Sequence, residues 1–320
     1  MPASDRHDDL VRRIDSFVAR GDWDALELLG QQCRSAPPGE TPRVSTTVSV
    51  AALCDYHLML GAPASAVARV LNDDPDESPF GPLPEVAACG QTWATLGPLL
   101  SAAAADFAGE RAVRGEIISP PPPRTDAHFG VPLALQTWEP AYALADYRRD
   151  DTRFPAPAPP MWTETSRLPP AGEAIGDPHV VDAFHDLMRG WRSTDSGRLD
   201  IVTAEGDHLH AISALGHLRV LLAPISFEEA LRWLAWAGAS GGRSGRRRGA
   251  SMGRSLAWTT VASLAGVSED WPIDPREMGE IGEGLQWFLW NEPEAGEWVF
   301  RLAVHDDVEE LGFAISADIC

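Results

Sequence analysis

The sequence predicts an α+β chain: an N-terminal all-α helical-hairpin domain, then a C-terminal α+β domain with a small, mainly antiparallel sheet. Three observations carry this. Apolar residues recur at helical spacing through about residue 115. Twelve of the 27 prolines then crowd into residues 116–173, which excludes long helices and central strands there. Near the end of the chain, runs such as W-V-F-R-L-A-V-H alternate with the period of two expected of strands.

The helices come first. Leu10, Val11, Ile14 and Phe17/Val18 form one amphipathic stripe. Gly21 ends that helix and Asp22 caps the next, W-D-A-L-E-L-L-G-Q-Q-C. Further helices are expected over about 45–60, at S-A-V-A-R-V-L, near 83–89 and 93–100, and over 101–114. The acidic run N-D-D-P-D-E at 72–77 reads as a solvated loop, because it lacks the spacing and glycine of a calcium loop.

Residues 116–173 also carry Phe129, Trp138, Tyr142, Tyr147, Phe154 and Trp162. A free linker does not hold so many aromatics. The stretch reads as an ordered connector between domains 1–115 and 174–320, with a short helix near 139–147.

In the last part, Asp177 followed by Pro178 starts a helix. R-L-D-I-V-T-A is a strand, Asp207–Leu215 a short capped helix, and L-R-V-L-L a strand. Ser226 with Glu229 makes a capping box before F-E-E-A-L-R-W-L-A-W-A. A helix S-L-A-W-T-T-V-A-S-L-A follows. L-Q-W-F-L-W and W-V-F-R-L-A-V-H make a hairpin, and L-G-F-A-I-S-A adds a third antiparallel strand. Trp287 and Trp290 point to opposite faces of this hairpin, so it is either covered twice or shows an aromatic patch to a partner.

The run S-G-G-R-S-G-R-R-R-G-A-S-M-G-R-S-L-A-W-T-T-V-A-S-L-A-G, then D-W-P-I-D-P and the tryptophan-rich hairpin, resembles a family of uncharacterised proteins from high-GC actinomycetes. The resemblance is clearest over residues 200–320. It implies no catalytic residues.

Composition narrows the function classes. The 320 residues are 44% hydrophobic and 23% charged, enough for sizeable cores. The formal net charge is −21, so no nucleic acid and no anionic membrane surface is expected as partner. No stretch approaches 18 uninterrupted apolar residues, the N-terminus M-P-A-S-D-R-H-D-D-L carries no apolar signal region, and the expected location is the cytoplasm. Cys33, Cys54, Cys89 and Cys320 lack zinc-ligand spacing and read as free thiols, the first three buried on helices. All 26 positive residues are arginine, as a GC-rich genome produces.

Against this acidity, residues 240–254 hold five arginines, five glycines and no acid. Gly241 and Gly242 let backbone amides approach an anion, and Arg243, Arg246, Arg247, Arg248 and Arg254 offer bidentate forks. A helix start near Ala250 adds its positive dipole end. The pattern is not a phosphate loop of the G-x-x-x-x-G-K-[ST] kind, because the chain has no lysine. The leading reading of the loop is nevertheless internal pairing with residues 269–318, which carry 14 acids and two arginines, and anion binding is the alternative to it. An acidic protein partner is a third reading.

His208 and His210, in E-G-D-H-L-H-A, share a face as metal ligands only on a strand, whereas Asp207 signals a helix. His179, Asp182, His185 and Asp186 are a second set, without the i, i+4 histidine pair of zinc proteases. The serines of S-G-G-R-S-G lack the G-x-S-x-G frame of a nucleophile elbow, and no cofactor is expected. The leading functional expectation is a cytosolic, non-enzymatic binding or regulatory protein, adaptor-like or immunity-like. The alternative is an enzyme or sensor that binds a phosphorylated or carboxylated small molecule at the Gly/Arg loop.

Overall fold

The computed structural model describes residues 3–35, 44–73, 78–122, 127–165, 167–191, 197–242, 246–293 and 299–319. They divide into two compact units, residues 1–126 with 145–153, and residues 127–144 with 154–320. The proline-rich stretch is thus shared between both. The chain is mixed α+β, as expected.

The first unit is helical: α1 Ala3–Arg20, α2 Trp23–Arg34, α3 Val44–Gly61, α4 Ala64–Asn72, α5 Leu83–Gly90, α6 Trp93–Leu96 and α7 Ala104–Val113. Gly21 turns the chain at φ 67, and the Asp22 carboxylate accepts from the Ala25 amide at 3.3 Å. Thr92 and Thr95 close a reciprocal cap on α6. Ile14, Leu26, Leu58, Met59, Leu96 and Phe107 fill the core. Asp55, His57, Glu85 and Glu110 are polar residues buried within it. The buried Glu85 carboxylate accepts from the Tyr147 hydroxyl at 2.6 Å, and Arg114 pairs with Glu110 at 2.7 Å. Cys33 and Cys54 are buried and in no disulfide, with burial pushing the Cys54 thiol up to about 12. Cys89 is also in no disulfide but is exposed, because it is near the end of α5. Cys320 and most of the acidic run, 74–77, lie outside the described residues.

The second unit holds short strands β1 Ala127–His128 and β2 Val131–Pro132, and its main elements follow residue 154; β3 Asp146–Tyr147 and β4 Thr152–Arg153 pair within the first unit. The main elements are β5 Thr163–Thr165, β6 Ala174–Ile175, α8 Pro178–Leu187, β7 Gly197–Glu205, α9 His208–Ala214, β8 Val220–Ile225, α10 Phe227–Ser240, α11 Ala250–Leu264, α12 Pro275–Gly284, β9 Gln286–Asn291, β10 Val299–Asp306 and β11 Leu311–Ile319. Among the described residues no helix spans 139–147. Pro140 disfavours helical backbone at Glu139, and no regular element forms between it and β3.

Seven strands form one antiparallel sheet in the order β5-β8-β9-β10-β11-β7-β6. The predicted hairpin is β9–β10, with Leu302 opposite Leu289, and β11 is its third strand. Both of its faces are covered. On one, Trp287 stacks on Phe227 of α10 and donates to the Gly282 carbonyl of α12 at 2.8 Å. On the other, Trp290 joins Ala303, Ala314 and Val220 under Ala211 and Ile212 of α9. Trp287 and Trp290 are 3% and 1% exposed, so the hairpin shows no aromatic patch.

The helical layer is tight. Ser226 and Glu229 form the predicted capping box of α10. A Cβ at Gly253 of α11 would overlap the Ala235 carbonyl of α10, so these two helices cross as closely as their backbones allow.

Candidate anion-binding site

Three chain segments meet at one end of the helical layer: the end of α8, the end of α10, and the start of α11. Gly241 ends α10 in the left-handed region at φ 69, which a glycine adopts without strain. A Cβ at Gly190 would lie 2.8 Å from the Gly241 Cα, so the turn after α8 packs directly on this cap. The Trp191 indole donates to the Ala237 carbonyl at 3.0 Å, and the Arg248 amide donates to the Ala239 carbonyl at 2.9 Å. The start and end of the Gly/Arg loop are therefore tied to fixed backbone. Gly249 leads into α11 at φ 94.

Arg248 reaches across to α8 and donates from Nη1 to the Asp186 carbonyl at 2.6 Å. This satisfies a carbonyl at a helix C-terminus with a cation, where the helix dipole favours one. The Asp186 carboxylate in turn pairs with Arg189. Burial lowers the Arg248 guanidinium from its ordinary range, and the neighbouring Arg189 pushes it the same way. Arg246 is exposed and Arg247 half-buried, with its Cζ 4.9 Å from the centre of the Phe154 ring. Gly242 follows at φ 68, its amide donating to the Ser240 hydroxyl at 3.3 Å. Arg243 lies outside the described residues.

Arg254 stands apart from this cluster, as a buried part of the core. Its Nε and Nη2 donate to the two oxygens of Glu139, each at 2.7 Å, and its other donors reach the Pro132 and Ala134 carbonyls. Glu139 also accepts from the Trp258 indole, the Tyr142 hydroxyl and the Gln136 amide. Burial, with Glu139 adding to it, raises the Tyr142 phenol well above its ordinary value. The partners of Arg254 and Arg248 come from residues 132–139 and from α8. The acid-rich segment pairs its own arginines, Arg276 with Glu280 and Arg301 with Glu292.

The histidines separate on α9. Asp207 caps that helix, and its backbone amide donates to His210 Nδ1 at 3.3 Å to complete a capping box. His208 lies flat on Phe288, with ring centres 3.6 Å apart, and burial lowers it to about 4. Among the described residues no three His, Cys, Asp or Glu side chains are grouped as a metal site needs. One motif escaped the sequence reading: Gly249-Ala250-Ser251-Met252-Gly253 does fit G-x-S-x-G. Ser251 is buried in the first turn of α11, and a helix and a loop precede it where a nucleophile elbow needs a strand.

Residues 8–306 match the profile of DUF6183, described as a family of unknown function. The chain belongs to this family. No curated protein and no solved structure matches this DUF6183 chain. No described helix of this DUF6183 member is long and apolar enough to cross a membrane.

Proposed function

We propose that this protein is a cytosolic binding or regulatory protein, and that Arg189 and Arg248 recognise an anionic group, phosphate or carboxylate, on its ligand. One observation carries the reading: two guanidinium groups share a single aspartate, Asp186, which gives its carboxylate to one and its carbonyl to the other. A bound anion relieves the repulsion between them and supplies acceptors for their remaining donors. The glycine-anchored loop holds Arg248 in place before the ligand arrives, which lowers the ordering cost of binding. That Cys33, Cys54 and Cys89 form no disulfide supports a reducing compartment. The arginine-for-lysine usage supports a high-GC actinomycete source.

Calorimetric titration of the full chain with inorganic phosphate, pyrophosphate and citrate tests the reading. Binding of at least one of these anions is expected, weakened roughly tenfold or more by Arg189→Ala or Arg248→Ala and by raised salt. No heat with any of the three, or binding unchanged in both variants, defeats it.

A further inference from the structure

Strand β7 pairs with β11 along its whole length, from Gly197 opposite Ile319 to Glu205 opposite Leu311. Its other edge pairs with β6 only at Thr203 and Ala204, and the Glu205 amide reaches the Glu173 carbonyl. In an antiparallel ladder, alternate residues turn their N–H and C=O to the same side. Leu199 and Ile201 are in phase with Glu205, so theirs point away from β11. Among the described residues no strand meets them there. A groove of about 440 Å³ follows this edge, lined by Leu199, Ile201 and Val202, with Val181 of α8 and Leu215 of α9 beside them. These three strand side chains are only half-buried. Proteins usually blunt such an edge with a bulge or a proline. Here the register is unbroken, and the charges are one opposite pair, Arg198 and Asp200, 2.6 Å apart.

We propose that this edge is a dimer interface, in which β7 pairs antiparallel with β7 of a second copy about a twofold axis at Leu199. The spacing of the charges argues for a second copy as occupant. Twofold pairing at Leu199 sets Arg198 of each copy opposite Asp200 of the other, and puts the outward-facing residues Gly197, Leu199 and Ile201 into hydrogen-bonded pairs. The neighbouring register, centred on Asp200, sets that carboxylate against itself and is disfavoured. One strand segment thus carries both halves of a self-complementary contact, as a twofold interface requires. The net charge of −21 per copy repels at long range but is screened beyond about 8 Å at physiological salt, whereas the strand contacts fall within that distance. This inference is independent of the anion reading.

Sedimentation velocity of the full chain over a concentration series is the test. A reversible dimer is expected. Arg198→Asp, which sets acid against acid twice, weakens it roughly tenfold or more. Adding Asp200→Arg to that variant restores the dimer, which a folding defect does not do. Ile201→Pro removes an outward amide that β11 does not use, and yields a monomer with an unchanged circular dichroism spectrum. A chain that stays monomeric at every concentration, a dimer indifferent to these changes, or a double variant that fails to recover overturns the proposal. So does a monomer that takes up an unrelated extended peptide along this edge.

Discussion

Arg254 and Glu139 meet fork to fork in the interior, their side chains 3% and 0% exposed, with both nitrogen–oxygen distances at 2.7 Å. Glu139 collects five hydrogen bonds in all, from Arg254, Trp258, Tyr142 and the Gln136 amide. This joins the 127–144 segment to α11. Buried ion pairs owe little net stability to their charges, but removing one partner strands the other in low dielectric. Glu139→Gln is expected to destabilise the protein by roughly 3 to 5 kcal/mol in urea unfolding. Glu139→Gln with Arg254→Met is expected to recover part of that loss, since no buried charge is left behind.

The crossing of α10 and α11 makes a second prediction. Gly253→Ala puts a methyl into the Ala235 carbonyl and the Ala239 side chain. The helices must move apart, at about 1–3 kcal/mol. Gly266 follows α11, with nothing within 4 Å of a Cβ built there, but its φ is 70. Gly266→Ala therefore tests backbone strain without crowding, and a cost of about 1 kcal/mol is expected. Thermal unfolding of the two variants separates crowding from strain.

A pH dependence follows from His208. Burial against Phe288 is the main reason it is lowered, to about 4, with His305 and His210 pushing the same way and Asp207 opposing. Its Nδ1 has no hydrogen-bond partner. Unfolded, the ring takes a proton near pH 6.5; folded, it stays neutral down to about 4. The stability this contributes is complete above pH 6.5 and is lost as pH falls toward 4. After allowance for partial solvent screening, the loss is about 1–2 kcal/mol. His57 and His217 are lowered too, each by burial first, and add to the same slope. Urea unfolding at pH 7 and pH 4.5 is expected to show a smaller drop for His208→Gln than for the unaltered chain.

In the helical unit, the Tyr147 hydroxyl is a buried donor to Glu85. Tyr147→Phe takes away that donor at little change in volume. A loss of about 1–3 kcal/mol is expected, read from denaturant midpoints at pH 7.

Much of this architecture was legible wherever the signal was local. Asp22, Asp177, Asp207 and Ser226 were each read as helix caps, and each accepts the backbone amides a cap should. The alternation of L-Q-W-F-L-W and W-V-F-R-L-A-V-H marked β9 and β10 because a strand's period of two depends only on neighbouring residues. The helix expected near 139–147 failed because Glu139 is held by long-range partners and Pro140 restrains the backbone beside it. The exposed thiol of Cys89 was missed because a helical pattern places a side chain on a face and says nothing of which face is covered.

The arginines of the Gly/Arg loop show the same division most clearly. Their number, their glycine spacing and their contrast with an acidic chain are properties of composition and order, readable before any folding. Which of them enters the core is not. Arg254 meets a carboxylate 115 residues away, and Arg248 a carbonyl 62 residues away. Those pairings exist only once α8, α10, α11 and the 127–144 segment have packed. Coulomb attraction and hydrogen bonding act over a few ångströms of space, and proximity in space is set by packing, whatever the separation along the chain.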